Sequence, residues 1–103
     1  MAYTLILRYN GTPDNRFDRD YYCHVHLPRA NKEWAPYGLI SARAFFPAQD
    51  DQNPATVCIC ECIFKDEASM KAAFKADCAP GLMADIPNFT DLPMTPEALV
   101  SMG

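Results

Sequence analysis

The stretch Thr56–Phe64 constrains this chain more than any other. It is almost wholly apolar, with Glu61 as its lone charge, and a run of that kind reads as a β-strand. Successive side chains on a strand point to opposite faces. Cys58, Cys60, Cys62 and Phe64 therefore share one face, and Val57, Ile59, Glu61 and Ile63 share the other. Helices lying on one side of a sheet cannot cover both faces. The uncovered face would carry a contiguous apolar surface, which monomers rarely tolerate beyond a few hundred Å². Pairing of identical faces about a two-fold axis is the commonest remedy, so a homodimer is expected.

The remaining elements follow from periodicity and punctuation. Residues 2–9 alternate, with Tyr3, Leu5, Leu7 and Tyr9 against Thr4, Ile6 and Arg8, which predicts a half-buried strand. Asn10-Gly11-Thr12-Pro13 is loop chemistry. Asn15 and Asp18 resemble a capping box for a helix running to about Lys32, with Phe17, Tyr21, His24, Val25 and Pro28 on one side. Gly38–Phe46 predicts a second strand, 47–55 a polar turn, and Thr56–Phe64 the third strand, paired with the second as a hairpin. Asp66 is a good N-cap for a second helix with a stripe of Ala68, Met70, Ala72, Ala73 and Phe74. Pro80-Gly81 is read as its end, with a short helical turn over Leu82–Asp85. A fourth strand is expected within Leu92–Met102, where Pro93 and Pro96 restrict it to an edge or a bulge. The order β-α-β-β-α-β is the ferredoxin-like split pattern, an α+β fold with an antiparallel sheet, filling one domain over residues 1–103.

Composition narrows the partners. The net charge is −4 and no basic run exists, which argues against nucleic acid and anionic membranes. No run approaches the roughly 18 apolar residues of a membrane span, and the apolar N-terminus is too short for a signal-peptide core. The expected location is cytoplasmic. Five cysteines, three in one strand, do not make a secreted disulfide framework and read as small buried hydrophobes.

Candidate chemistry centres on His26. It lies four residues after Tyr22, which lies four after Asp18, so the three form a column on one helix face. Neutral imidazole can take a proton from a phenol or an acidic carbon near pH 7, with Tyr22 orienting it or donating to a developing oxyanion. The competing reading is a packed histidine bonded to backbone just ahead of Pro28. His24 and His26 sit about 200° apart on a helix, which argues against a metal pair, and no metal is expected. Cys60 can face the first helix in an acid/base role, although small buried side chains explain the cysteine row more simply. Glu61 needs a partner, and Arg43 on the neighbouring strand is a candidate, with Arg8 of the same kind. Asp85 is a candidate catalytic carboxylate, but Asp-Ile-Pro-Asn-Phe reads more as a rigid turn in which Asp85 bonds backbone amides and Phe89 fills the core. Trp34 and Tyr37, just past the first helix, can line a pocket mouth for an aromatic ligand.

Two strings together carry a family resemblance. Phe17, Asp18, Tyr21, Tyr22, His26 and Pro28 form a Phe-Asp-x-x-Tyr-Tyr-x-x-x-His-x-Pro pattern, and Asp85–Asp91 reads Asp-Ile-Pro-Asn-Phe-Thr-Asp. In both, the chain resembles the EthD family, named for ethyl tert-butyl ether degradation. The resemblance implies a dimeric α/β barrel, in which two ferredoxin-like sheets pair. It implies a small enzyme needing no metal or organic cofactor, acting on a phenolic, quinol or lactone-like molecule, either monooxygenase-like or isomerase- or cyclase-like. It strengthens His26 and Tyr22 as the acid/base pair; Trp34, Tyr37, Cys60 and Phe89 are the residues expected on the ligand side from their positions in the sequence. The alternative is a non-catalytic binding or accessory protein of a catabolic oxygenase system. The proline-broken tail and the cysteine row depart from the family pattern.

Overall fold

The computed structural model describes residues 2–12, 14–48 and 56–100. Four strands form one sheet in the order β2-β3-β1-β4, where β1 is Tyr3–Asn10, β2 Leu39–Phe45, β3 Thr56–Phe64 and β4 Met94–Val100. Every neighbouring pair is antiparallel. The fold is the expected ferredoxin-like α+β arrangement. Register sets Leu5, Leu7 and Tyr9 of β1 opposite Cys62, Cys60 and Cys58 of β3. This cysteine face, with Phe64, is buried under the helices. The opposite face sets Ile6 and Arg43 on either side of Glu61.

The first helical stretch holds the main departures from expectation. Asp18 alone caps it, accepting from the Tyr21 N–H at 3.0 Å, while Asn15 accepts from the Thr12 N–H in the preceding loop. The chain then runs without a break through α1 (Arg19–Tyr21), a π-helical turn (Tyr22–His26), α2 (Leu27–Trp34) and a 3₁₀ turn (Ala35–Tyr37). Pro28 does not end the helix. A proline inside a helix lacks the N–H owed to the carbonyl four residues back and crowds it. Here the turn just ahead is widened, and the Leu27 N–H reaches back to the Tyr22 carbonyl. The wide turn re-aims the side chains, so the buried line is Tyr22, His26, Ala30 and Trp34. The line drawn from sequence fails: His24 and Val25 are exposed. Gly38 follows with φ +103, and its Cα faces the Ser69 side chain so closely that a Cβ has no room.

Asp66 caps α3 (Glu67–Lys75) as expected, accepting from the Ser69 N–H at 2.8 Å. Of its expected stripe only Ala73 is fully buried; Met70 and Phe74 pack at the edge, and Ala68 and Ala72 are exposed. Pro80 and Gly81 do not terminate that helix but lie inside α4 (Ala79–Ala84), with proline in the first turn, where its missing N–H costs nothing. β4 pairs with β1 from Tyr9↔Met94 to Tyr3↔Val100, with Pro96 opposite Leu7. It is an edge strand, as its prolines require. The turn expected over 47–55 falls mostly outside the described residues, as do Pro13 and Met102.

Candidate functional site

The two strings that stand out in the sequence meet in space. Phe17 bridges Thr90, the Asp18 N–H donates to the Phe89 carbonyl at 2.8 Å, and the Thr90 hydroxyl donates to the Arg16 carbonyl at 2.7 Å. Arg16 also donates to the Pro87 carbonyl and pairs with Asp91 at 2.9 Å. Behind this seam, Tyr9, Phe17, Tyr22 and Phe89 form an edge-on aromatic cluster with ring centroids 4.8–6.0 Å apart. Full burial of such rings is worth roughly 1.5–3 kcal/mol each. The segment after α4 is thereby clamped onto the π turn.

The clamp delivers Asp85 to His26. Nδ1 of His26 donates to Oδ2 of Asp85 at 2.9 Å, joining residues 59 apart in sequence. Oδ1 of Asp85 accepts from the Tyr21 hydroxyl at 2.6 Å and from Asn88 Nδ2 at 2.8 Å. Burial pushes the Asp85 carboxyl up, and the hydrogen bonds from Tyr21, Asn88 and His26 more than reverse this, holding it down to about 2. A carboxylate only accepts, so neutral His26 carries its proton on Nδ1 and leaves the Nε2 lone pair free.

His26 lines a narrow pocket of about 20 Å³ between the helix, the cysteine face of the sheet and the segment after α4. Leu7, Tyr9, Cys60 and Cys62 supply the sheet wall, Tyr22, Ala30 and Trp34 the helix wall, and Leu82, Met83 and Ile86 the cover.

The residues singled out in the sequence divide accordingly. His26, Tyr22, Trp34 and Cys60 come together around the pocket. Tyr22 does not orient the imidazole by a hydrogen bond; its ring stacks on His26 at 5.5 Å with 21° between planes. Its phenol is pushed far up by burial, with Cys60, Tyr9 and Cys58 alongside, and stays protonated. Asp18 belongs to the helix cap and not to a column with Tyr22 and His26. Trp34 is inside the pocket wall and not at a surface mouth, whereas Tyr37 is exposed and lies off the pocket. Phe89 packs behind His26, ring centroids 4.8 Å apart, and does not line the cavity. His24 faces outward with Nδ1 3.0 Å from the Asp20 carbonyl oxygen.

Cys60 and Cys62 lie with sulfurs 3.7 Å apart. The hydrogen bond between them draws Cys60 down and, with burial, pushes Cys62 up; either thiol can be the donor. All five cysteines are free thiols. On the outer face Arg43 donates to Glu61 at 2.8 Å, as the cross-strand register predicts, and Arg8 pairs with Glu97 at 3.4 Å. Asp85 as the orienting group, with Tyr21 and Asn88 behind it, was missed in the sequence. The available signal was that the two strings bring a histidine and a carboxylate, His26 and Asp85, into one family pattern.

With this geometry in place, likeness to solved structures can be stated. An EthD-like protein from Ralstonia eutropha JMP134 is 22% identical, with a TM-score of 0.81 over 95% of this chain and 89% of that one. An ethyl tert-butyl ether degradation (EthD) family protein from Bacillus halodurans C-125 is 20% identical, with a TM-score of 0.73 over 99% and 100%. SnoaB, a cofactor-independent oxygenase from Streptomyces nogalater, is 10% identical, with a TM-score of 0.68 over 99% and 94%. The chain thus has the fold of the EthD-like proteins. No family model and no curated protein matches it. Among the described residues no helix is long and apolar enough to cross a membrane.

Proposed function

We propose that this chain is a small enzyme of the EthD type that moves a proton on a phenolic, quinol or lactone-like molecule, working without a metal or organic cofactor. The observation that carries the reading is the Asp85–His26 hydrogen bond in the wall of a pocket. Nε2 takes the proton from an acidic O–H or C–H of the ligand, and the electron pair stays on the ligand as phenolate or enolate. The imidazolium so formed is stabilised by the Asp85 carboxylate, the arrangement that makes a histidine–carboxylate pair an effective base. Return of the proton at another atom completes an isomerisation and leaves the enzyme unchanged. Tyr22 holds the ring by stacking, and Trp34 and Cys60 stand on the ligand side. SnoaB, with the same fold, is a cofactor-independent oxygenase, which supports chemistry carried by side chains alone in this architecture. The working unit is proposed to be a homodimer paired through the outer sheet face, where Ile40, Phe45 and Leu99 are exposed apolar residues.

A second reading, a non-catalytic binding protein, draws on His26 being only 9% exposed. Replacing His26 by Ala separates the two. A screen of phenols, quinols and lactones by thermal shift first finds a binder and then a substrate. His26→Ala is expected to lower turnover by about 10²–10⁴ while ligand binding persists. A binder that no preparation converts, and that His26→Ala binds equally well, would establish the non-catalytic reading.

A further inference from the structure

Two adjacent tyrosines divide the His26–Asp85 pair between them. Tyr22 stacks on the imidazole, and Tyr21 donates its hydroxyl to Oδ1 of Asp85 at 2.6 Å. Asn88 donates to the same oxygen at 2.8 Å, and Oδ2 is left to His26 at 2.9 Å. Each carboxylate oxygen carries two lone pairs, so these two donors fill Oδ1. The arrangement does more than hold the fold. A carboxylate bonded to an imidazole and to nothing else favours imidazolium, which has no lone pair left to accept a proton. Donors on the far oxygen draw off part of the negative charge. They favour the ionised carboxyl and weaken its hold on the imidazole proton.

Tyr21 stays a donor throughout, because its hydrogen bond to Asp85, followed by desolvation and the carboxylate charge, pushes its phenol up. The other groups around the pair are few. Arg29 of α2 lies near both Asp85 and Tyr21 and is itself paired with Glu33 at 2.6 Å. Tyr22 on the helix and Tyr9, Cys60 and Cys62 on the sheet share the pocket with His26, and among the described residues no carboxylate lines it. Asp85, bonded from behind the pocket, is therefore the anion that governs His26. We propose that Tyr21 is a positioning residue: it occupies Oδ1 of Asp85, limits the pull of the carboxylate on His26, and keeps the imidazole in the neutral form that accepts a proton at Nε2. The consequence for turnover rests on the proposed acid/base role of His26; the coupling of Tyr21 to the imidazole does not.

The chain has two histidines, and the exposed His24 is an internal reference. Nitrogen-15 imidazole spectra of the whole chain over about pH 5–8 count the singly and doubly protonated forms of each ring. The low-field Nδ1 proton of His26 reports its bond to Asp85. Tyr21→Phe keeps the ring and removes only the hydroxyl. At a given pH it is expected to raise the ratio of doubly to singly protonated His26 roughly 2- to 5-fold. The low-field proton should move further downfield, and His24 should hardly change. Asn88→Ala takes the other donor from the same oxygen and should act in the same direction, so the test stands even if Tyr21→Phe folds poorly. A tyrosine that only staples the fold would lower the melting temperature and leave both His26 signals in place, and that result overturns the proposal. A fall in the ratio, or an equal change at both histidines, overturns it too. Both signals are read on the free protein, which keeps this inference apart from the acid/base reading. A His26 signal that moves in Tyr21→Phe, in a chain whose wild type converts no phenol, quinol or lactone, upholds the coupling and counts against the catalytic role.

Discussion

His26–Asp85 and Arg43–Glu61 are pairs of almost the same length, 2.9 and 2.8 Å, with opposite surroundings. The first is covered, with side chains 11% and 7% exposed; the second lies on the outer sheet face, with side chains 63% and 26% exposed. Exposed ion pairs are worth about 0–1 kcal/mol, because water competes for both partners. A covered carboxylate has no such competitor, and each donor aimed at it depends on it. Asp85 collects three such donors from two segments far apart in sequence, so it joins the chain as well as orienting an imidazole.

The sharpest break between the two sites is truncation. Asp85→Ala leaves the Tyr21 hydroxyl, His26 Nδ1 and Asn88 without their acceptor, and is expected to cost about 3 kcal/mol. Glu61→Ala is expected to cost under about 1 kcal/mol. Urea unfolding of the two variants side by side checks this, and equal losses would mean that the clamp at residues 85–91 does not depend on Asp85.

A pH titration sharpens the same contrast. The Asp85 carboxyl sits at about 2 in the folded chain, below its ordinary 3.8. A carboxyl depressed by folding contributes stability that is fully present above its unfolded pKa and is lost as pH falls through the folded one. The window is therefore about pH 4 down to about pH 2, and the loss is about 2 kcal/mol. Tyr21 and His26 face the carboxyl directly, and Arg29 lies nearby. Asp85→Asn should flatten the acid limb of stability against pH in that window. An unchanged limb would assign the acid sensitivity to other carboxylates.

Local patterns were legible in the sequence, and what depended on a single irregular turn was not. Thr56–Phe64 is a strand over those very residues because β-branched and apolar alternation leaves little choice. The Asp66 cap and the Arg43–Glu61 pair followed from local rules as well. The buried face of the first helix did not, because the reading assumed 100° per residue throughout. The π turn at Tyr22–His26 breaks that period and moves burial from Val25 to His26 and Trp34. The His26–Asp85 bond was invisible for another reason. Neither residue's neighbours show what faces it, since the partner arrives from 59 residues away through a seam of backbone and aromatic contacts. Both strings stood out in the sequence, but their union is a tertiary fact.

The smallest expected effect concerns the outer face and tests the proposed homodimer. In an isolated subunit the Arg43–Glu61 pair should show a coupling of about 0.5 kcal/mol in a double-mutant cycle. If a second copy covers this face, water is excluded and the coupling should rise to about 1–2 kcal/mol. The cycle is therefore run twice, once at a concentration where light scattering gives a dimer mass and once after dilution to monomer. Coupling that rises with association locates the pair inside the interface. Coupling that stays near 0.5 kcal/mol while the mass doubles would show that the chains pair elsewhere, and that Ile40, Phe45 and Leu99 remain open to water. A monomer mass at every concentration would remove the dimer altogether. The contrast between a covered and an uncovered pair would then be a permanent property of the single chain, and the apolar outer face would have to be explained without a second copy.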